Sequence, residues 1–89
     1  MDRPWEADVH ANFLRRIGRS PQDLDITKAG PTCPDIWELD NGDVAIIGRD
    51  ITDAYHDRLP GGVAIAGDER LVVIPRVMAI AAKKDWPDA

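Results

Sequence analysis

The stretch Ile36-Trp37-Glu38-Leu39-Asp40-Asn41-Gly42-Asp43-Val44-Ala45-Ile46-Ile47-Gly48 decides how this chain is built. Two apolar-rich runs flank Asn41-Gly42, the strongest short-range hairpin signal a sequence carries. A two-residue type I′ turn needs φ > 0 at both central positions, which Asn tolerates and Gly adopts freely. That turn sets Leu39 opposite Val44, Glu38 opposite Ala45, Trp37 opposite Ile46 and Ile36 opposite Ile47. The core-facing side then carries Trp37, Leu39, Val44 and Ile46. The other side carries Ile36, Glu38, Ala45 and Ile47, and is only partly polar.

Working outward, Thr52 or Asp53 opens a short helix to Leu59, with Ile51, Tyr55 and Leu59 a turn apart and Pro60-Gly61-Gly62 ending it. Val63-Ala64-Ile65 reads as a short edge strand, and Gly67-Asp68-Glu69-Arg70 as a polar turn. Leu71-Val72-Val73-Ile74 is an unbroken β-rich run, expected to be covered on both faces. Pro75 starts a last helix through Lys84, with Val77, Ile80, Ala81 and Lys84 spaced for one face and Met78 and Ala82 flanking it. Residues 85–89 form a tail.

Before the hairpin, residues 4–17 carry Trp5, Val9, Phe13 and Ile17 at helical spacing, with Leu14 widening the stripe. Asp2 or Arg3 leads in, Pro4 suits the first turn, and Gly18 suits a left-handed C-cap. Ser20-Pro21-Gln22-Asp23 has the cap, proline and acid of a short helical turn. Ala29-Gly30-Pro31-Thr32-Cys33-Pro34 breaks regular structure. The expectation is a single domain over 1–89: N-terminal helix 1–18, loop or linker 19–34, α+β core 35–84 and tail 85–89. Its fold class is α+β, a small, mainly antiparallel sheet built on the central hairpin with N-terminal, middle and C-terminal helices packed on it. The expected core is Trp37, Leu39, Val44, Ile46, Tyr55, Leu59, Leu71, Val73, Val77 and Ile80.

The 89-residue chain is 44% hydrophobic and 30% charged, a globular composition with room for one core. The single cysteine, Cys33, has no internal disulfide partner. The first eight residues are too polar for a signal peptide, and no apolar run approaches the roughly 20 residues that span a bilayer. These point to a cytoplasmic protein with no membrane partner. Net charge of −5 argues against nucleic acid, which needs clustered cations. Arg15, Arg16 and Arg19 form the densest basic cluster.

No convergent catalytic set is present. Cys33 would need a base, and His10 and His56 match no known spacing. Asp40, Asp43, Asp50, Asp53 and Asp57 lack the alternation of a calcium loop, and the Cys and His residues are too few and scattered for zinc. Pro60-Gly61-Gly62 lacks the lysine and strand-to-helix context of a phosphate loop. In Tyr55-His56-Asp57 the polar groups diverge on a helix. The chain therefore reads as a non-enzyme with no catalytic, metal or cofactor residues. A terminal apolar stripe can also dock in a groove, so Trp5, Val9, Phe13, Arg15, Arg16 and Trp86 are the candidate partner-binding residues.

The segment from Asp35 to Arg76, with Ile36-Trp37-Glu38-Leu39, Gly48-Arg49-Asp50-Ile51-Thr52 and Val72-Val73-Ile74-Pro75-Arg76, resembles small uncharacterised actinobacterial proteins. That resemblance implies a small accessory or regulatory role and carries over no functional residue. The pattern Gly42-Asp43-Val44-Ala45-Ile46, short helix, glycine, then Gly67-Asp68-Glu69-Arg70-Leu71-Val72-Val73 is similar to swapped-hairpin transition regulators and antitoxins. That likeness implies an intertwined dimer that binds DNA, but Asp40 and Asp43 stand where that family carries basic residues. The reading is a small acidic protein-protein interaction module. Its partner is another protein, with a homodimer as one form of it, and a swapped-hairpin DNA-binding regulator or antitoxin is the alternative.

Two substitutions test the turn. Gly42→Val should destabilise the protein more than Asn41→Asp, because a β-branched residue is strongly disfavoured at φ > 0. Thermal melts of the two variants decide this, and equal melting temperatures would contradict a left-handed Gly42. As a core residue, Trp37 truncated to Ala would cost about 3–5 kcal/mol.

Overall fold

A computed structural model describes residues 4–26 and 33–88. The expectations placed on Asp2, Arg3, Ala29-Gly30-Pro31-Thr32 and Ala89 lie outside the described residues. In chain order the elements are β1 (Phe13–Arg16), β2 (Asp35–Leu39), β3 (Val44–Ile47), β4 (Arg49–Asp50), α1 (Thr52–Tyr55), β5 (Val72–Val73) and α2 (Arg76–Ala82), followed by a 3-10 turn at Lys83–Asp85. β1, β2 and β3 form an antiparallel sheet in that order, and β4 pairs antiparallel with β5. The class is α+β.

The hairpin forms where the sequence places it, but one residue out of the expected register. Leu39 N–H donates to the Asp43 carbonyl at 2.9 Å, and Gly42 N–H donates back to the Leu39 carbonyl at 3.0 Å. The loop is therefore three residues, Asp40 to Gly42, with the last at φ +92°. This is the form in which a left-handed glycine makes a bulge beside the turn, not type I′. Asn41 does not have positive φ. Its side-chain oxygen accepts the Asp43 N–H at 3.0 Å, and one Asp40 carboxylate oxygen accepts the Asn12 N–H at 3.0 Å. Those side-chain bonds reward the longer loop. Ile36 now faces Ile46, Trp37 faces Ala45 and Glu38 faces Val44. A one-residue slip exchanges faces along a strand, so Ile36 turns inward and Trp37 leaves the core.

No helix forms over residues 4–17. Residues 4–12 hold no regular element, and Phe13–Arg16 is a strand. The apolar spacing is helical, but β2 has an open edge, and a two-stranded hairpin is marginal alone. β1 satisfies that edge: Phe13 lies opposite Leu39, Arg15 opposite Glu38 and Arg16 opposite Trp37, with an irregularity between Phe13 and Arg15. Asp40 N–H donates to the Asn12 carbonyl and Ile17 N–H to the Ile36 carbonyl, both at 2.9 Å. Tertiary pairing overrides the local helical pattern.

The core among the described residues is Ile17, Ile36, Met78 and Ala82, with Leu24, Ile26, Val44 and Ile74 packed against it. None of the ten residues expected in the core is fully buried, and Ile46, Val73, Val77 and Ile80 are exposed. The last helix forms nearly where expected, but turned. Met78 and Ala82, four apart, face the sheet, while Val77 and Ile80 face out. Gly18 fixes the depth of that contact. At φ +81°, a Cβ on it would lie 2.9 Å from the Ala82 Cα, so the turn after β1 rests directly on the helix backbone. Asp85 locks the helix end to the same turn. Its carboxylate accepts the Gly18 N–H at 3.1 Å and its carbonyl accepts Arg15 Nη2 at 2.9 Å.

The Ser20 turn forms as read, with Ser20 Oγ accepting the Asp23 N–H at 3.1 Å. The middle helix is one turn, Thr52–Tyr55, rather than a run to Leu59. The expected edge strand at Val63-Ala64-Ile65 is not a strand, and β5 is two residues with both side chains exposed rather than covered on two faces. Gly48 lets β5 approach, since a Cβ there would meet the Val73 carbonyl oxygen at 2.6 Å.

The phase of α2 is measurable. Met78→Ala should cost about 2–5 kcal/mol through the cavity left between helix and sheet. Val77→Ala, one position away and exposed, should stay within about 0.5 kcal/mol. Urea unfolding of both variants reads the difference. A larger loss at Val77 would turn the helix back to the phase expected from the sequence.

Candidate functional site

The sheet's outer face is built by the register. Trp37, displaced from the core, stacks with Phe13 at 5.5 Å between ring centroids and 20° between planes. The Arg16 guanidinium sits 4.8 Å from the Trp37 ring centroid, a cation–π contact. Arg16 also grips Asp35 by two parallel hydrogen bonds, Nε and Nη2 each at 2.9 Å. Asp35 is 7% exposed, and its other bond is to the Ile36 N–H at 3.1 Å. The Asp35 hydrogen bond raises the Arg16 pKa above its ordinary value. This arginine holds an aromatic face together and neutralises a buried acid.

The six partner-binding candidates do not form one surface as a helix stripe, because the helix does not exist. Phe13 and Arg16 meet on Trp37. Arg15 instead bonds Glu38 through Nε at 2.6 Å and reaches Asp85. Trp5 lies by the hairpin tip, its Nε1 donating to Asp43 at 3.3 Å. Val9 is 87% exposed, and Trp86 is exposed beyond the 3-10 turn. Of the arginine cluster, Arg15 and Arg16 are paired with acids.

A second surface lies on the far side of α2. Its outward residues and the Ser20 turn enclose an apolar groove of about 620 Å³ lined by Arg19, Leu24, Val77, Ile80, Ala81, Lys83 and Lys84. Val77, Ile80, Ala81 and Lys84 are the four residues that the helical spacing puts on one face. The periodicity found the face. It could not tell that face from the Met78–Ala82 face, because both are apolar. Among the described residues, Arg19, Lys83 and Lys84 make no salt bridge or side-chain hydrogen bond. The groove thus combines an aliphatic floor with three free cations.

A smaller polar cavity of about 540 Å³ is lined by Asp50, Ile51, Thr52, Asp53, Ala54 and Arg70. Here Asp50 accepts from the Thr52 hydroxyl at 2.7 Å and the Thr52 N–H at 3.1 Å, and Thr52 Oγ1 accepts the Leu71 N–H at 2.8 Å. The relay ties the start of α1 to the approach of β5. Cys33 is half-buried, His10 and His56 are exposed, and none of the three lines either cavity. Among the described residues, no group of three or more His, Cys, Asp or Glu side chains is placed to hold a metal ion, and no helix is long and apolar enough to cross a membrane.

Comparison with protein-family models, curated proteins and solved structures gives no match for this chain.

The Asp50 relay gives a pH prediction. The hydroxyl and amide of Thr52 bond the charged carboxylate and lower the Asp50 pKa below its ordinary value. A carboxylate depressed in the folded state contributes stability above the unfolded value, and that contribution is lost as pH falls through the folded value. Carboxyl NMR should place the Asp50 midpoint below that of an ordinary aspartate. In Thr52→Val the midpoint should rise and Leu71 amide exchange should quicken. An unmoved midpoint would contradict the relay.

Proposed function

We propose that this chain is a small, non-enzymatic protein-interaction module that acts in the cytoplasm as an accessory or regulatory protein. One observation carries the proposal. The described residues fully bury four apolar core side chains, while Trp5, Val9, Phe13, Leu14, Ile46, Ile47, Val63, Val72, Val73, Val77, Ile80 and Trp86 stay exposed. Scattered single apolar residues are normal on a surface, but contiguous patches mark partners. Two of these groups are contiguous: Phe13 stacked on Trp37, and Val77 with Ile80 on the outward face of α2. The likeness to small actinobacterial proteins supports the same accessory role. For the swapped-hairpin DNA-binding alternative, the engagement of Arg15 and Arg16 by Glu38 and Asp35 counts against free cations for phosphates.

Affinity capture of the native protein from its source organism tests the reading. The expected result is a stoichiometric protein partner, or a second copy of the chain, whose yield falls in Phe13→Ser or in Ile80→Ser. Capture of no stoichiometric protein, with the chain monomeric by sedimentation, would contradict it.

A further inference from the structure

The groove outside α2 differs from the sheet face in its charge. Its lining joins apolar Leu24, Val77, Ile80 and Ala81 to the cations Arg19, Lys83 and Lys84. The chain as a whole is acidic, with 16 Asp and Glu against 11 Lys and Arg. Local acids take up Arg15 and Arg16, whereas the rim cations have no partner among the described residues. Three uncompensated cations around an aliphatic floor call for a ligand that is both apolar and anionic.

Three occupants can be weighed. A second copy meeting groove to groove would bring the same three cations together across a two-fold axis, and like charges so placed repel. Single-stranded nucleic acid needs aromatic platforms for its bases, and the groove lining holds none. An amphipathic helix with an acidic polar face meets both demands. Its apolar side chains, spaced at i, i+3, i+4 and i+7, would lie along Val77, Ile80 and Ala81, and its flanking carboxylates would reach the rim.

Resting on the interaction-module reading, we propose that the groove formed by Leu24, Val77, Ile80 and Ala81 is the docking site for an acidic amphipathic helix of a partner protein, with Arg19, Lys83 and Lys84 selecting its charge. Ile80 is the centre of the contact. It is 61% exposed in the free protein, so docking would take much of its surface from water.

The test uses the full chain and three synthetic peptides of about 18 residues, a length at which helices become appreciable in water. One carries Leu at i, i+3, i+4 and i+7 with Glu on the polar face. The second replaces each Glu with Lys. The third keeps the Glu residues and replaces each Leu with Ser. Fluorescence anisotropy should show saturable binding of the first peptide alone, weakening as salt rises. Ile80→Ser should reduce the affinity about tenfold, as should Lys83→Glu with Lys84→Glu, the scale expected of a few exposed contacts. Both variants alter exposed residues and should melt with the wild type. The charge-reversed variant should also gain binding of the Lys peptide, which loss of fold cannot produce.

Equal binding of the Glu and Lys peptides would overturn the proposal, as would affinity unchanged in both variants. Binding to anionic phosphatidylserine vesicles that depends on Lys83 and Lys84, with no peptide binding, would reassign the groove to membranes. If a native partner is lost in Phe13→Ser but kept in both groove variants, the interaction reading stands and the groove assignment falls.

Discussion

The hydrogen bond from the Leu39 amide to the Asp43 carbonyl sets which face of β2 meets Ile17 and α2. It closes a three-residue loop, and the loop determines which side of β2 is inside. With Leu39 opposite Asp43, Ile36 and Ile46 share a face, and Ile17 from the strand's other neighbour completes it. α2 covers this face with Met78 and Ala82. Because those two point in, Val77 and Ile80 point out. The groove on α2 and the aromatic stack on the sheet's outer face are thus two consequences of one register. Had the loop been two residues long, Trp37 would have faced the helix and Ile36 the solvent.

What was legible in the sequence was the existence of the hairpin, the left-handed Gly42, the Ser20 turn and the C-terminal helix starting after Pro75. These are local matters, decided by turn chemistry and capping. What was not legible was phase. Both sides of β2 and β3 carry apolar residues, and so do both sides of the last helix, so alternation and periodicity found the elements without orienting them. The orientation comes from contacts distant in sequence: Asp40 to Asn12, Gly18 against Ala82, and Asp85 to Arg15. The N-terminal helix failed for a related reason. Trp5, Val9, Phe13 and Ile17 fit a helix by spacing, yet such a helix would leave the β2 edge unpaired, and β1 pairs it.

The same phase problem hid part of the candidate site. Val77, Ile80, Ala81 and Lys84 were legible as one face, but with Val77 and Ile80 as core. Arg16 was legible as a cation near the surface, but its service to Asp35 and Trp37 required the fold. The resulting protein has a narrow core whose close approaches are set by glycine backbones at Gly18 and Gly48. Stability of small domains is a few kcal/mol drawn from large opposing terms. A partner covering the exposed apolar faces would add to it by mass action, coupling binding to folding.

Interstrand Hα–Hα contacts in an NMR spectrum test the register of β2 against β3 directly. In an antiparallel ladder the close Hα pairs occur at non-hydrogen-bonded positions, which alternate with the hydrogen-bonded ones. With Leu39 and Asp43 hydrogen-bonded, strong cross-peaks should join Glu38 to Val44 and Ile36 to Ile46. Cross-peaks joining Leu39 to Val44 and Trp37 to Ile46 would mean a two-residue turn. They would return Trp37 to the core side and contradict the placement of both candidate surfaces.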